Sequence, residues 1–261
     1  MIKFFEQIFK KGQQTESAPD KPRAELTEEE IQKKLSNLGD IMKLAEKVEP
    51  PFNHLSIEAL ARLVIKLERD LPTYDTILSD DVSGRLPSLL LRKIIDKVRS
   101  KNNLGPVKTY FLAAGRYAKS EKRESIKKFL TDKRNAIGKA LLVTEYIQSG
   151  EGIAWVMNSL QEAEINFDVA SVSSSLENEF YIKEFGDIFK KLRYGQRGDA
   201  GLSFYGMTAR RVGGVAKDPS NPSPHPEALG GTMGEASRAY QKRAREDANF
   251  LAAEFIDKLL D

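Results

Sequence analysis

The sequence predicts an α/β protein, a parallel sheet flanked by helices, with added N-terminal helices and a C-terminal helix. Three observations carry this. Short apolar β-type runs alternate with helical segments from about Tyr74 to Val172. Each run is separated from the next by a helix, the connection that parallel pairing requires. The strand ends that can be compared also carry small or charged residues, as where open parallel sheets bind ligands.

The elements follow in order. Residues 1–11, "MIKFFEQIFKK", put Met1, Phe4, Phe5, Ile8 and Phe9 on one helical face and Lys3, Glu6, Gln7, Lys10 and Lys11 on the other. This suits docking on the protein's own body or on a partner, or a weak contact with a membrane surface. Residues 12–25 are polar, contain two prolines and read as a flexible linker. Thr27 and Glu30 have the spacing of a capping box, predicting a helix to about Val48, which "EPPFN" breaks. A second helix opens with Ser56 as N-cap and ends at Pro72, completing a helical extension over 26–70.

The core is expected over 71–232. Strands are predicted in "YDTILSD", "VKTYFLAAG", "KALLVTEY" and "INFDVASV", with helices in "LPSLLLRKIIDKVRSK", "SEKRESIKKFLTDKRN" and "GIAWVMNSLQEAE". From Glu177 to Gly195 the pattern is helical or mixed, and the glycine- and proline-rich stretch after it reads as loop. Residues 233–261 form a long C-terminal helix.

Composition removes several chemistries. With no cysteine, disulfides, thiolate nucleophiles and cysteine-bound metals are excluded. Two histidines, His54 and His225, lie far apart, so histidine-rich metal sites and most histidine acid–base schemes are not expected. A net charge of +3, with acidic residues interleaved among the basic ones, gives no case for nucleic acid as a partner. No apolar run approaches the ~20 residues of a membrane span, and no cleavable signal peptide is recognised, so the cytoplasm is the expected location.

Ligands of open parallel sheets bind beyond the carboxyl ends of the strands. Three such ends are rich in small and polar residues: Ser79–Arg85, Ala113–Arg116 and Thr144–Gly152. The third is the best phosphate candidate. Gly150 and Gly152 let backbone amides turn inward, the following helix aims its N-terminus at the same point, Ser149 adds a hydroxyl, and Glu145 could hold ribose hydroxyls or magnesium. The alternative is a plain strand-to-helix turn with Ser149 as N-cap.

An apolar strand, an acid, a short link and Ser-Gly-x-small before a helix resembles the phosphoribosyl-pyrophosphate loop of the type I phosphoribosyltransferases. Leu141–Val143 match that family's strand, Thr144 and Glu145 lie where its two acids are expected, and Ser149, Gly150, Glu151 and Gly152 lie where its loop cradles the 5′-phosphate. Ser83, Gly84 and Arg85 match its pyrophosphate-binding turn, and "FLAAGR" its next strand, with Arg116 within reach of pyrophosphate. The likeness covers about Leu55 to Ser173.

The resemblance implies a type I phosphoribosyltransferase-like fold and pentosyl transfer from phosphoribosyl pyrophosphate to a base-like acceptor, with Mg2+ as cofactor. It implies catalytic roles for Glu145, Gln148, Arg85 and Arg116. Arg85, Arg116 and the metal would stabilise the leaving pyrophosphate, and Glu145 would be the metal ligand. The acceptor would be met by the N-terminal helices or by residues 176–232. Thr144 stands where the family's first acid is expected, and Gln148 where members acting on purines carry an aspartate. A non-catalytic ligand sensor or interaction module on the same fold is therefore the alternative. The partners expected are phosphoribosyl pyrophosphate or a nucleotide, a base-like small molecule, a second copy of the chain in a homodimer, and a protein or weak membrane contact through residues 1–11.

Other features have plain readings. Trp155 is expected in the core, and the charged "SEKRESIKKFLTDKR" on a solvated helix face. Tyr194, Phe204 and Tyr205, interleaved with Arg193, Arg197, Arg210 and Arg211, suit either stacking on a base or ordinary packing on the sheet.

Overall fold

A computed structural model of the protein describes residues 26–80, 84–112, 120–148, 150–175, 191–198 and 235–260. Five strands form one all-parallel sheet: β1 (Thr76–Asp80), β2 (Lys108–Leu112), β3 (Ala140–Ile147), β4 (Phe167–Ser174) and β5 (Leu192–Arg197), in the order β2-β1-β3-β4-β5. Among the described residues the helices are α1 (Glu28–Ser36), α2 (Ile41–Ala45), α3 (His54–Leu67), α4 (Arg85–Lys101), α5 (Ser120–Ile137), α6 (Glu151–Glu162) and α7 (Glu235–Leu259).

The alternation of strand side chains divides the core in two. Ile77, Leu141, Val143, Ala170 and Val172 face one side, where α3 and α4 cover them and α1, α2 and α7 pack on those helices. Leu78, Ala140, Leu142, Phe167 and Val169 face the other, under α5 and α6. A sheet buried on both faces needs continuous apolar runs, which is why "ALLV" and "VASV" carry no polar–apolar alternation.

The expected first helix is two. Gly39 takes the left-handed conformation, φ +73°, and Asp40 caps a new helix by accepting from the amides of Met42 and Lys43. The capping box of Thr27 and Glu30 is present as expected. In α3, Asn53 rather than Ser56 is the N-cap. Ser56 is the third helical residue, and each side chain accepts the other's amide at 2.9 Å.

β5 is a strand where the sequence suggested a helical or mixed segment. It is an edge strand, so "LRYGQR" needs no continuous apolar run. Its Gly195 lies against α3 so closely that a Cβ there would sit 1.8 Å from the Ala59 carbonyl oxygen. Lys66 of α3 donates to the Tyr194 carbonyl at 2.8 Å and lies 4.8 Å above its ring. That contact is the packing alternative for Tyr194; Phe204, Tyr205, Arg210 and Arg211 lie outside the described residues.

The amino ends of the strands are fastened by a polar clasp. Arg99, at the end of α4, donates to the carbonyls of Gly105 and Tyr74, both at 2.6 Å. Asp75 accepts the Lys139 amide, and the buried Tyr74 hydroxyl donates to Asp168, which also pairs with Lys139. Burial, reinforced by the Asp168 carboxylate, pushes the Tyr74 phenol far above its ordinary value.

α7 lies against α4 and α3 through Ala244, Ala248, Leu251, Ala252 and Phe255. Its buried Asp247 accepts the Glu49 amide at 3.1 Å, tying the turn before α3 to the end of the chain. Among the described residues no helix is long and apolar enough to cross a membrane.

Candidate functional site

In this strand order β1 continues into β2 on one side and pairs with β3 on the other, so the chain switches direction between β1 and β3. The crevice outside the carboxyl ends of those two strands is where sheets of this kind hold ligands. Two of the three strand ends singled out from the sequence flank this crevice. Ser79 of β1 is in register with Val143 of β3, so Asp80 and Thr144 come out side by side.

Each of these strands passes into a helix that opens on glycine. Gly84 is the N-cap of α4, and Gly150, at φ +76°, is the N-cap of α6. Neither helix has a side-chain cap, whereas α1, α2 and α3 are capped by Thr27, Asp40 and Asn53. The first amides of a helix have no intrahelical acceptor, and the helix dipole is positive there. The crevice is thus bordered by two such ends, one from each face of the sheet. The left-handed Gly150 is what lets β3 turn into α6 within a few residues. Its carbonyl accepts the amides of Ile153 and Ala154 at 3.2 and 2.9 Å.

Arg85, the first residue of α4, has its guanidinium carbon 5.1 Å from the centre of the Phe111 ring on β2. The ring holds a cation beside the β1 end. Thr144 and Glu145 are each 3% exposed. By alternation Glu145 shares a face with Leu141 and Val143, the side covered by α4, and Thr144 takes the other. Gln148 is exposed and Gly152 half-buried. Ser83, Arg116 and Ser149 lie outside the described residues, as does the side chain of Glu151.

The structure therefore brings together Gly84, Arg85, Thr144, Glu145, Gly150 and Gly152. It adds residues that the sequence reading did not single out as site residues. Ser171, Ser173 and Ser174 continue the polar strip onto β4. The Ser171 hydroxyl donates to the Ser173 carbonyl at 2.6 Å, and Tyr146 donates to Ser175 at 2.9 Å. The serine run "SVSSS" at a strand end is the signal that could have found them. Trp155, one turn into α6, packs half-buried beside the second core, with Arg123 5.3 Å above its ring. Among the described residues no three carboxylates or imidazoles gather as a metal-binding group.

Comparison of the chain with protein-family models, with curated proteins and with solved structures finds no match.

Proposed function

We propose that the protein binds phosphoribosyl pyrophosphate or a nucleotide in the crevice between β1 and β3, and that it transfers the phosphoribosyl group to a base-like acceptor. The observation that carries this reading is the pair of glycine-opened, uncapped helix ends at the switch point. Two adjacent helix N-termini suit a ligand with two anionic groups, a 5′-phosphate over α6 and a pyrophosphate over α4. Arg85 supplies a fixed cation on the pyrophosphate side.

In the transfer, the acceptor nitrogen's lone pair forms a bond to C1 of the ribose. The bond from C1 to pyrophosphate breaks, and its electron pair leaves on the pyrophosphate oxygen. Arg85 and the α4 N-terminus stabilise that developing charge. Glu145 accepts from ribose hydroxyls and offers an oxygen that fits a hard cation. Bound magnesium would neutralise pyrophosphate, taking most of its ligands from phosphate oxygens and water.

Titration calorimetry with phosphoribosyl pyrophosphate, with and without magnesium, tests the binding. Fluorescence of Trp155, the only tryptophan in the chain, gives a second readout one turn from the cradle. No heat and no fluorescence change with phosphoribosyl pyrophosphate, pyrophosphate or any nucleoside monophosphate would sink the reading.

One observation favours a second reading, a non-catalytic ligand sensor. Glu145 is almost wholly buried, and Thr144 replaces the neighbouring acid. Turnover by the wild type separates the two, with Glu145→Gln as its control. The enzyme reading expects turnover that the variant loses, and the sensor reading expects binding without any turnover in the wild type.

A further inference from the structure

We propose that the Ser88 hydroxyl is a ligand contact of this crevice, donating to an oxygen of a bound pyrophosphate group. The inference rests on the reading above and adds a residue to it. Ser88 is 0% exposed, and its hydroxyl has no hydrogen-bond partner among the described residues. Helical hydroxyls ordinarily return to the carbonyl four residues back. Ser125, Thr131 and Ser159 do so here, at 3.1, 3.0 and 2.7 Å. Ser88 does not. The Gly84 carbonyl takes its amide at 2.8 Å, and the hydroxyl is left over. An unsatisfied buried hydroxyl is costly, and native folds seldom keep one without a use.

Its position points to that use. Ser88, Leu91 and Ile95 fall at i, i+3 and i+7, one buried stripe of α4, and Leu91 and Ile95 are in the first core. Ser88 is the member of that stripe nearest the crevice. On the sheet face beneath, alternation puts Ser79 of β1 and Glu145 of β3 at the same end. The hydroxyl stands where the apolar core gives way to polar strand ends.

The helix start also lacks a donor. Pro87, the third residue of α4, has no amide hydrogen, so α4 offers an anion one donor fewer than an ordinary helix. The next residue is Ser88, and its hydroxyl replaces the missing amide. Arg85, two residues before Pro87, supplies the charge, and Ser88 a short, directional bond.

Ser88→Ala separates a ligand contact from a structural group. Thr109→Val is its control, because the Thr109 hydroxyl is also buried without a partner but sits on the edge strand β2, in register with Ile77 and away from the carboxyl ends. Thermal melting without ligand and calorimetry with inorganic pyrophosphate and phosphoribosyl pyrophosphate are measured on the full chain. Ser88→Ala is expected to melt higher than the wild type while binding both ligands roughly five- to a hundredfold more weakly. Thr109→Val is expected to leave both affinities unchanged.

Wild-type affinity for pyrophosphate in Ser88→Ala would overturn the inference and leave the binding reading standing. A lower melting temperature in that variant would make the hydroxyl structural and also overturn it. Failure of the wild type to bind pyrophosphate, phosphoribosyl pyrophosphate or a nucleotide would remove the reading beneath it.

Discussion

Two glycines show how a single residue decides the architecture. At Gly195 a methyl group would meet the backbone of α3, and backbone cannot rotate aside as a side chain can. Gly195→Ala is therefore expected to cost about 3 kcal/mol or more, read from urea unfolding, because α3 and β5 must separate. Gly150 is different, because the demand there is conformational: φ is +76°, where a β-branched residue pays about 1–2 kcal/mol. Gly150→Val is expected to lower stability by that amount and to abolish phosphoribosyl pyrophosphate binding in calorimetry. Gly150→Asn, which tolerates this conformation, should keep more of both. Gly84 and Gly150 were legible because a glycine following an apolar run is a local signal. Gly195 was not. Its reason is a helix more than a hundred positions earlier, which no window of sequence contains.

Elements were legible where their own sequence carried the reason for them. β1, β3 and β4 are buried on both faces and so are written as apolar runs, while β2, half-buried at the other edge, is still marked by its aromatic "TYFL". β5 sits at an edge, is half-covered and carries two arginines, so it resembles a loop until β4 is placed beside it. The long N-terminal helix was overextended because Gly39 breaks it by taking a left-handed turn, while the apolar spacing continues across the break. α7 was legible throughout, but its partners were not. Its large apolar anchor, Phe255, is fully buried against the first core. Phe255→Ala is expected to cost about 3–5 kcal/mol. Asp247→Ala leaves the Glu49 amide without its acceptor and should cost about 1–2 kcal/mol, measured by the same unfolding curves.

For the whole molecule, the two ends of the sheet divide the labour. The carboxyl end holds the candidate site, and the amino end holds the clasp of Tyr74, Asp75, Arg99, Lys139 and Asp168. The clasp predicts how stability responds to alkali. The Tyr74 phenol has a folded value well above its unfolded value of 10.0, so the folded state keeps its proton where the unfolded state loses it. Its contribution is complete below about pH 10 and declines as the pH rises beyond that. The melting temperature should fall between pH 10 and pH 11.5. Tyr74→Phe, which has no proton to lose, should show a shallower fall across the same interval.

The contact between α3 and β5 has a consequence for how the chain is made. Lys66 meets Tyr194 across 128 positions, and β5 completes the sheet against a helix synthesised long before it. While the ribosome is still working through the middle of the chain, the apolar face of α3 has no strand to rest on. Assembly must wait for a distant segment, which slows folding and prolongs exposure of sticky surface. A nascent chain stopped before residue 192 would leave the part of that face that β5 covers exposed, and chaperones should hold it longer than the full chain.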